Sequence, residues 1–323
     1  MRFITRAGAP VKQIAILAAM LAPFCGNSQT INLLGGAIRN VDDNEISGVC
    51  QVEYRADFRQ HCALSLAYLN EGHFQAHHRD GLAGQFWVEG GVGRLTLAAG
   101  AGPYLYCNTK NAYDAADYYN NHGLGLISSL GLQWPLTERI SLLARGNWIV
   151  TGDMDTFSAL MGVGGLFDAP GKAPGAPVSA APAARPGNEI TLLAGKTIVN
   201  SFGSETTVPM SVEYRRRIRP HLEWTLACLD EGCNSMINRH GAATQVWLTD
   251  NLGGWPLTFG LGAGAYLAFD RKGEEREILA GLVSLTAGYR FLESWVARVN
   301  WHRVMANYDR DTDVILAGMG YLF

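Results

Sequence analysis

The sequence carries the same series of short phrases twice, and this duplication constrains the fold more than any other feature. Val-Glu-Tyr-Arg begins at Val52 and begins again at Val212, 160 positions later. At the same offset, the phrase HCALSLAYLNEG from His61 matches HLEWTLACLDEG from His221. The 323 residues therefore contain two similar units of about 140 residues each, once the N-terminal segment is set aside.

A segment rich in Pro, Ala and Gly separates the two units. It reads DAPGKAPGAPVSAAPAARPG, and its prolines cannot donate hydrogen bonds to a β ladder. The first unit ends just before this segment on an aromatic residue, Phe167. The predicted boundaries are residues 29–168 for the first unit, 169–187 for the linker and 188–323 for the second unit.

The N-terminus has the pattern of an export signal. Three basic residues precede a nine-residue apolar core at 14–22, and small residues follow before Gln29. The apolar core is too short to cross a bilayer as a helix. We therefore predict a signal peptide at residues 1–28, and no run of 18 apolar residues follows it.

Each unit divides into eight segments in which apolar and polar residues alternate, and this alternation predicts β-strands with two unlike faces. In the second segment of the first unit, Val52 and Tyr54 share an apolar face, whereas Glu53 and Arg55 lie on the opposite face. In the second unit, the corresponding segment is predicted as one strand over about 206–217. Tight turns alternate with longer polar loops, which is the asymmetry of transmembrane β-barrels.

The polar faces of the two units contain a recurring set of large polar side chains. An unpaired buried charge costs several kcal/mol, so we expect these side chains to pair inside a narrow barrel. In particular, we expect Arg145 to pair with Glu53, and Arg298 to pair with Glu213. The predicted interior set is Glu53, Arg55, Gln85, Tyr104, Arg145 and Asn147, followed by Glu213, Arg215, Gln245, Tyr266, Arg298 and Asn300.

The C-terminal segment places Ile315, Ala317, Met319, Tyr321 and Phe323 on one face. It resembles the terminal strand of bacterial outer-membrane β-barrel proteins of the small eight-stranded type, in which an aromatic C-terminus is the assembly signal. The resemblance implies that Tyr321 and Phe323 are read by the barrel assembly machinery.

The predicted fold is all-β, with two tandem eight-stranded antiparallel transmembrane barrels in the bacterial outer membrane. The alternative is one sixteen-stranded barrel with a porin-like channel. The two-barrel fold is favoured because the interior set occurs twice and because the linker is much longer than the other turns on its side.

The stretch NWHRVMANYDRD around His302 is similar to the lipid A deacylase family. That family places a His and a Ser two residues apart on one strand, with a carboxylate nearby. His302 matches the His, but Val304 stands where the Ser is needed. The first unit has Ile149 and Thr151 at these positions, so neither unit contains the complete pair. We therefore favour a structural role for His302 and keep acyl hydrolysis as an alternative.

Three histidines of the first unit, His73, His77 and His78, lie in a predicted loop near Glu71 and Asp80. Imidazole and carboxylate groups together are ligands for transition metals. The second unit does not keep this spacing, so we predict a solvated polar loop, with no metal and no cofactor. Two cysteines of the second unit, Cys228 and Cys233, are predicted to flank a loop tip and are candidates for a disulfide.

The formal charge of −3 and the absence of a basic cluster argue against a nucleic-acid partner. The partners we expect are outer-membrane lipids, including lipopolysaccharide, and the assembly machinery. The predicted function is non-enzymatic: an integral barrel protein whose surface loops serve recognition, or which supports the cell envelope.

Overall fold

The structure is a computed structural model of the chain. It describes residues 28–75, 77–111, 118–166, 187–201, 203–219, 221–251, 255–272, 276–306 and 308–323. The predicted signal peptide and linker lie outside these residues, apart from Ser28 and Gly187 at their edges. All of the regular elements in the described ranges are β-strands. No helix within those ranges is long and apolar enough to cross a membrane.

The first eight strands form a closed antiparallel barrel in which each strand pairs with the next. Strands β1 and β8 close the ring, with partners running from Thr30–Leu166 to Asn40–Thr156. The strands are β1 (Ser28–Asn40), β2 (Ile46–Arg59), β3 (Cys62–Phe74), β4 (His77–Val92), β5 (Leu95–Asn111), β6 (Tyr118–Pro135), β7 (Ile140–Val150) and β8 (Thr156–Leu166).

The second group of strands also closes on itself. Strand β9 pairs with β17 from Val199–Thr312 to Glu189–Leu322. The strands are β9 (Asn188–Val199), β10 (Thr206–Thr207), β11 (Met210–Arg219), β12 (Leu222–Cys233), β13 (Asn238–Asn251), β14 (Leu257–Asp270), β15 (Arg276–Leu292), β16 (Trp295–Met305) and β17 (Thr312–Leu322).

This topology confirms the prediction of two eight-stranded rings. The alternative of one sixteen-stranded barrel is wrong, because it requires β8 and β9 to pair, whereas β8 pairs with β1 and β9 pairs with β17. Each sheet thereby satisfies its own edge strands, which is the condition for placing a β-sheet in a bilayer.

The prediction of one strand over 206–217 needs correction. The short β10 pairs only with the end of β9, and the main strand β11 begins at Met210. Pro209 stands between them and has no N–H to donate, so it contributes a carbonyl that accepts from Gly195 over 3.2 Å but no donor to the ladder.

Strand register is equivalent in the two barrels at the repeated Val-Glu-Tyr-Arg phrase. Val52 pairs with Tyr68, and Val212 pairs with Cys228, so both partners are displaced by 160 positions. Tyr54 shares the apolar face of β2 with Val52, but it is only 3% exposed and its hydroxyl donates to the Gln29 side chain.

A broad apolar band covers the outward faces of the strands. On β6, the outward residues from Leu124 to Trp134 are apolar apart from Ser128. This stretch of 11 residues matches the roughly 9–11 residues that a tilted strand needs to cross a bilayer. Leu130 is 71% exposed and Met161 is 75% exposed, and a soluble monomer rarely leaves so many apolar side chains together in water.

Candidate functional site

The interior of the first barrel is crossed by an ion pair between Glu53 on β2 and Arg145 on β7. The Arg145 Nη2 lies 3.0 Å from Glu53 Oε1, and a second, shorter bond joins Nη1 to Oε2. Asn32 also donates to Glu53 Oε1 over 2.7 Å. Both charged side chains are almost fully enclosed. The structure thus contains the Arg145–Glu53 contact expected from the sequence.

Two guanidinium groups lie over the ring of Trp87 in the same interior. The Arg55 group is 5.0 Å from the ring centroid and the Arg145 group is 4.5 Å from it, which is the distance range of cation–π contacts. Trp87 itself is anchored because its Nε1 donates to Ser65 Oγ over 2.8 Å. A Cβ atom at Gly100 would lie 2.5 Å from the Trp87 ring, so only glycine fits there.

A second ion pair of the first barrel, Glu71–Arg79, was missed from the sequence. The Arg79 Nε and Nη2 atoms each lie 2.7 Å from a Glu71 oxygen, and both side chains are 0% exposed. Tyr104 and Thr156 also donate to Glu71, over 2.6 and 2.7 Å. The signal was available, because a Glu and an Arg eight residues apart recur as Glu231 and Arg239.

The second barrel repeats this arrangement. Arg239 Nε and Nη2 lie 2.5 and 2.7 Å from the two oxygens of Glu231, and the Thr312 hydroxyl donates to the same carboxylate over 2.6 Å. Tyr266 differs from its counterpart in the first barrel, since its hydroxyl donates to the carbonyl of Leu229 over 3.1 Å.

The predicted pair Arg298–Glu213 is wrong. Arg298 forms two bonds of 2.7 Å with Glu189 on β9. Glu213 instead accepts from Arg215, two residues away on its own strand, over 2.9 Å. The register differs by two residues between the barrels, because Leu160 pairs with Arg145 whereas its counterpart Leu316 pairs with Asn300. In addition, the position of Glu189 is occupied in the first barrel by Thr30, which offers no carboxylate.

Amide and hydroxyl groups connect the remaining interior residues. In the first barrel, Gln85 donates to Ser129 Oγ over 2.9 Å, Ser129 donates to Asn147 over 2.7 Å, and Asn147 donates to Gln51 over 3.1 Å. In the second barrel, Asn300 accepts from the Thr286 hydroxyl over 2.7 Å. These bonds link neighbouring strands around each interior.

Gln245 donates to Ser284 Oγ over 2.5 Å, and Ser284 Oγ lies 2.7 Å from His302 Nδ1. The partner serine therefore comes from the neighbouring strand, in direct register, rather than from the same strand. In the first barrel, the corresponding registered pair is Ser129–Asn147, since Gln85 donates to Ser129 as Gln245 does to Ser284. Ser284 is 0% exposed and His302 is 5% exposed, so this serine–histidine contact is enclosed inside the barrel.

The histidines considered as metal ligands lie on strands, which corrects the loop prediction. His73 belongs to β3, and His77 and His78 belong to β4, because this hairpin continues well past the apolar band. The rings of His73 and His78 stack, with centroids 4.4 Å apart. The proposed disulfide is also wrong: Cys228 and Cys233 are both free and lie on the same strand, β12.

The C-terminal aromatic residues lie at the end of the second barrel. The ring of Tyr321 is 5.4 Å from Trp295 and 6.5 Å from Phe323, measured between centroids. The backbone of Phe323 exchanges two hydrogen bonds with Asn188. The role of Tyr321 and Phe323 as an assembly signal remains a prediction.

No protein-family model and no curated protein sequence matches the chain. Among solved structures, the N-terminal β-barrel domain of Pseudomonas aeruginosa OprF is 18% identical, with a TM-score of 0.37; the match covers 44% of this chain and 98% of that one. Ail of Yersinia pestis is 12% identical, with a TM-score of 0.34, and covers 43% and 97%. The CymD monoaromatic hydrocarbon channel is 9% identical, with a TM-score of 0.26, and covers 99% and 94%. These values are too low to carry any function to this chain.

The architecture itself decides the location. Closed antiparallel barrels with an apolar outer band, a polar interior and an aromatic rim are the transmembrane proteins of the bacterial outer membrane. The chain is an integral outer-membrane β-barrel protein.

Proposed function

We propose that this outer-membrane protein is non-enzymatic, that neither barrel conducts ions, and that the β5–β6 hairpin provides a recognition surface outside the membrane. The observation that supports the absence of conduction is the pair of interior ion pairs in each barrel. The observation that supports recognition is the length and composition of the hairpin.

Each barrel interior is closed at two levels by charged side chains that bond to each other. Glu53–Arg145 and Glu71–Arg79 span the first interior. In the second interior the two pairs are Glu231–Arg239 and Glu189–Arg298. A water-filled pore needs hydrated side chains along its wall, whereas these carboxylates and guanidinium groups are buried against protein. Eight-stranded barrels are narrow enough for side chains to fill them.

The β5–β6 hairpin extends beyond the apolar band. Strand β5 has 17 residues and β6 has 18, although about 9–11 residues are enough to cross the bilayer. The extension contains Asn108–Asn111 on one strand and Tyr118–Asn121 on the other. Tyrosine and asparagine provide rigid aromatic contacts and adaptable hydrogen bonds, which is why binding surfaces use them.

The base of this hairpin is held by a neighbouring loop. Asp153, between β7 and β8, accepts from Asn108 over 2.7 Å and forms an ion pair with Lys110. Within the hairpin, Asn120 donates to Thr109 Oγ1 over 3.1 Å. A surface that is ordered before a ligand arrives loses less entropy on binding, which favours a role in recognition.

The absence of conductance is tested in planar lipid bilayers with the full-length protein. We expect no stepwise conductance above the bare bilayer. A double variant, Glu71→Ala with Arg79→Ala, opens one constriction of the first barrel and serves as the comparison. Steady conductance of the unmodified protein would contradict the proposal.

The position of the hairpin is tested with an epitope inserted at residues 112–117. An antibody should label this variant on intact cells. As a matched control, the same epitope at residues 60–61, in the turn at the opposite end of the barrel, should be labelled only after the cells are permeabilised. Labelling of both variants, or of neither, on intact cells would refute the assignment.

A second candidate function, acyl hydrolysis of lipid A, is supported by one contact, the 2.7 Å separation between Ser284 and His302. A serine next to a histidine is the arrangement of an activated nucleophile. Mass spectra of lipid A from cells with and without the protein test this candidate. A loss of one acyl chain that requires Ser284 would favour hydrolysis over the non-enzymatic function.

A further inference from the structure

One arginine of the second barrel points outward at the level of the aromatic C-terminal residues. Arg216 on β11 pairs in register with Asn188, whose backbone pairs in turn with Phe323. Two residues along β9 from Asn188, Ile190 pairs with Tyr214 on one side and with Tyr321 on the other. Because aromatic side chains mark the membrane–water boundary of transmembrane barrels, Arg216 lies at this boundary.

The guanidinium group of Arg216 is available to a partner outside the protein. Its neighbours on the strand are already paired: Arg215 points inward and lies 3.0 Å from Glu223, and Arg217 lies 3.7 Å from the same carboxylate. Arg216 and Arg219 are exposed, and within the described parts of the chain neither has a carboxylate partner.

A tryptophan is fixed beside Arg216. Trp224 on β12 is its direct cross-strand partner and is half-buried. The Trp224 Nε1 donates to Thr244 Oγ1 over 2.9 Å, and its ring meets the Tyr214 ring edge-on, with centroids 6.2 Å apart. Indole rings prefer the boundary between hydrocarbon and headgroups. The guanidinium group of Arg216 and the apolar indole ring of Trp224 therefore lie side by side on the outer face of the second barrel.

The first barrel lacks both groups at the corresponding positions. There the cross-strand pair is Ala56 and Leu64, which offers neither charge nor an indole. The difference between two otherwise similar strand pairs points to a property that belongs to the second barrel alone.

We propose that Arg216 and Trp224 bind the headgroup of an anionic phospholipid, such as a phosphatidylglycerol, in the leaflet at the Phe323 end of the second barrel. The guanidinium group donates to the phosphate oxygens, and the indole packs against the glycerol and upper acyl region. Short turns of outer-membrane barrels face the periplasm, so this leaflet is the one made of phospholipid. The site lies on the outer face of the barrel, so it uses neither the interior nor the β5–β6 hairpin, and it requires only insertion in the membrane.

The test uses native mass spectrometry of the full-length protein, refolded in detergent and titrated with phosphatidylglycerol or phosphatidylcholine. We expect Arg216→Ala to weaken retention of phosphatidylglycerol about fivefold, the usual effect of one basic residue near an anionic lipid surface. Retention of phosphatidylcholine should not change. Arg216→Lys should keep most of the selectivity, because it keeps the charge.

The matched control is Arg59→Ala, which removes an exposed arginine beside the corresponding turn of the first barrel. It should leave phosphatidylglycerol retention at the parent value. All variants are first checked for the heat-dependent electrophoretic shift of a folded barrel. Equal retention by the parent and by folded Arg216→Ala would overturn the proposal.

Two further measurements distinguish lipid binding from simple anion binding and from a failure of membrane insertion. An excess of inorganic phosphate should not displace phosphatidylglycerol, and displacement would show a simple anion site instead of a lipid site. Failure of membrane insertion would appear as protease sensitivity of the parent and of all variants in vesicles. Selective loss of lipid in Arg216→Ala is independent of whether the barrels conduct or the hairpin recognises a ligand.

Discussion

Replacing Arg79 by Met removes one half of an ion pair whose two side chains are both 0% exposed. The guanidinium group makes five hydrogen bonds in the first barrel. Two go to Glu71, and the others go to Thr151, to the carbonyl of Met154 and to Thr156. Methionine has a similar length and is apolar, so the variant removes these bonds without leaving a large cavity.

The expected loss in the free energy of unfolding depends on the hydrogen bonds that the Glu71 carboxylate keeps in the variant. Removing one partner of a buried ion pair costs about 3–5 kcal/mol, because the other charge stays buried. Here the hydroxyls of Tyr104 and Thr156 still donate to the Glu71 carboxylate. We therefore expect a loss near the lower end, about 3 kcal/mol. The double variant with Glu71→Gln should be more stable than Arg79→Met alone, since no unpaired charge remains.

The assay is equilibrium unfolding by guanidinium chloride in lipid vesicles, followed by tryptophan fluorescence, for which Trp87 is an interior reporter. The matched control is Arg39→Ala, which removes an exposed arginine that donates to the side chain of Asn44. This control should change the free energy of unfolding by less than about 0.5 kcal/mol. A loss of less than about 1 kcal/mol for Arg79→Met would refute the reasoning.

Three other changes test the fold. Arg298→Leu leaves its carboxylate partner on β9 unpaired, so it should destabilise the second barrel by about 3–5 kcal/mol in the same unfolding assay and leave the first barrel unchanged. Gly100→Ala forces a Cβ against a tryptophan ring and should cost about 1–3 kcal/mol, whereas Gly90→Ala, with open space around it, should cost clearly less; equal costs would contradict the close contact. Residues 29–168 and 188–323, expressed separately and refolded in detergent, should each form a protease-resistant barrel, because each ring closes on its own strands; aggregation of both halves would contradict independent folding.

The sequence by itself determined the features that depend on local periodicity. Side chains alternate between the two faces of every strand, so Glu53 and Arg145 had to share one side and Leu130 the other. The duplication then required that whatever one unit forms, the other forms too. These two facts predicted eight strands in each unit and the faces of those strands, whereas the pairing of β1 with β8 and of β9 with β17 decided between two rings and one.

Tertiary structure decided which interior charges meet. Arg298 bonds to Glu189 instead of Glu213 in a barrel where β16 has a different register: Arg145 pairs with Leu160, whereas Arg298 pairs with Gly318, two residues beyond Leu316, the counterpart of Leu160. The distance along the chain between Arg298 and Glu189 is 109 residues, so no local pattern reports this contact. Ser284 likewise meets His302 only because β15 and β16 pair in one particular register. Periodicity assigns a residue to a face, but only closure of the ring fixes its partner, because that partner comes from a strand distant in the sequence.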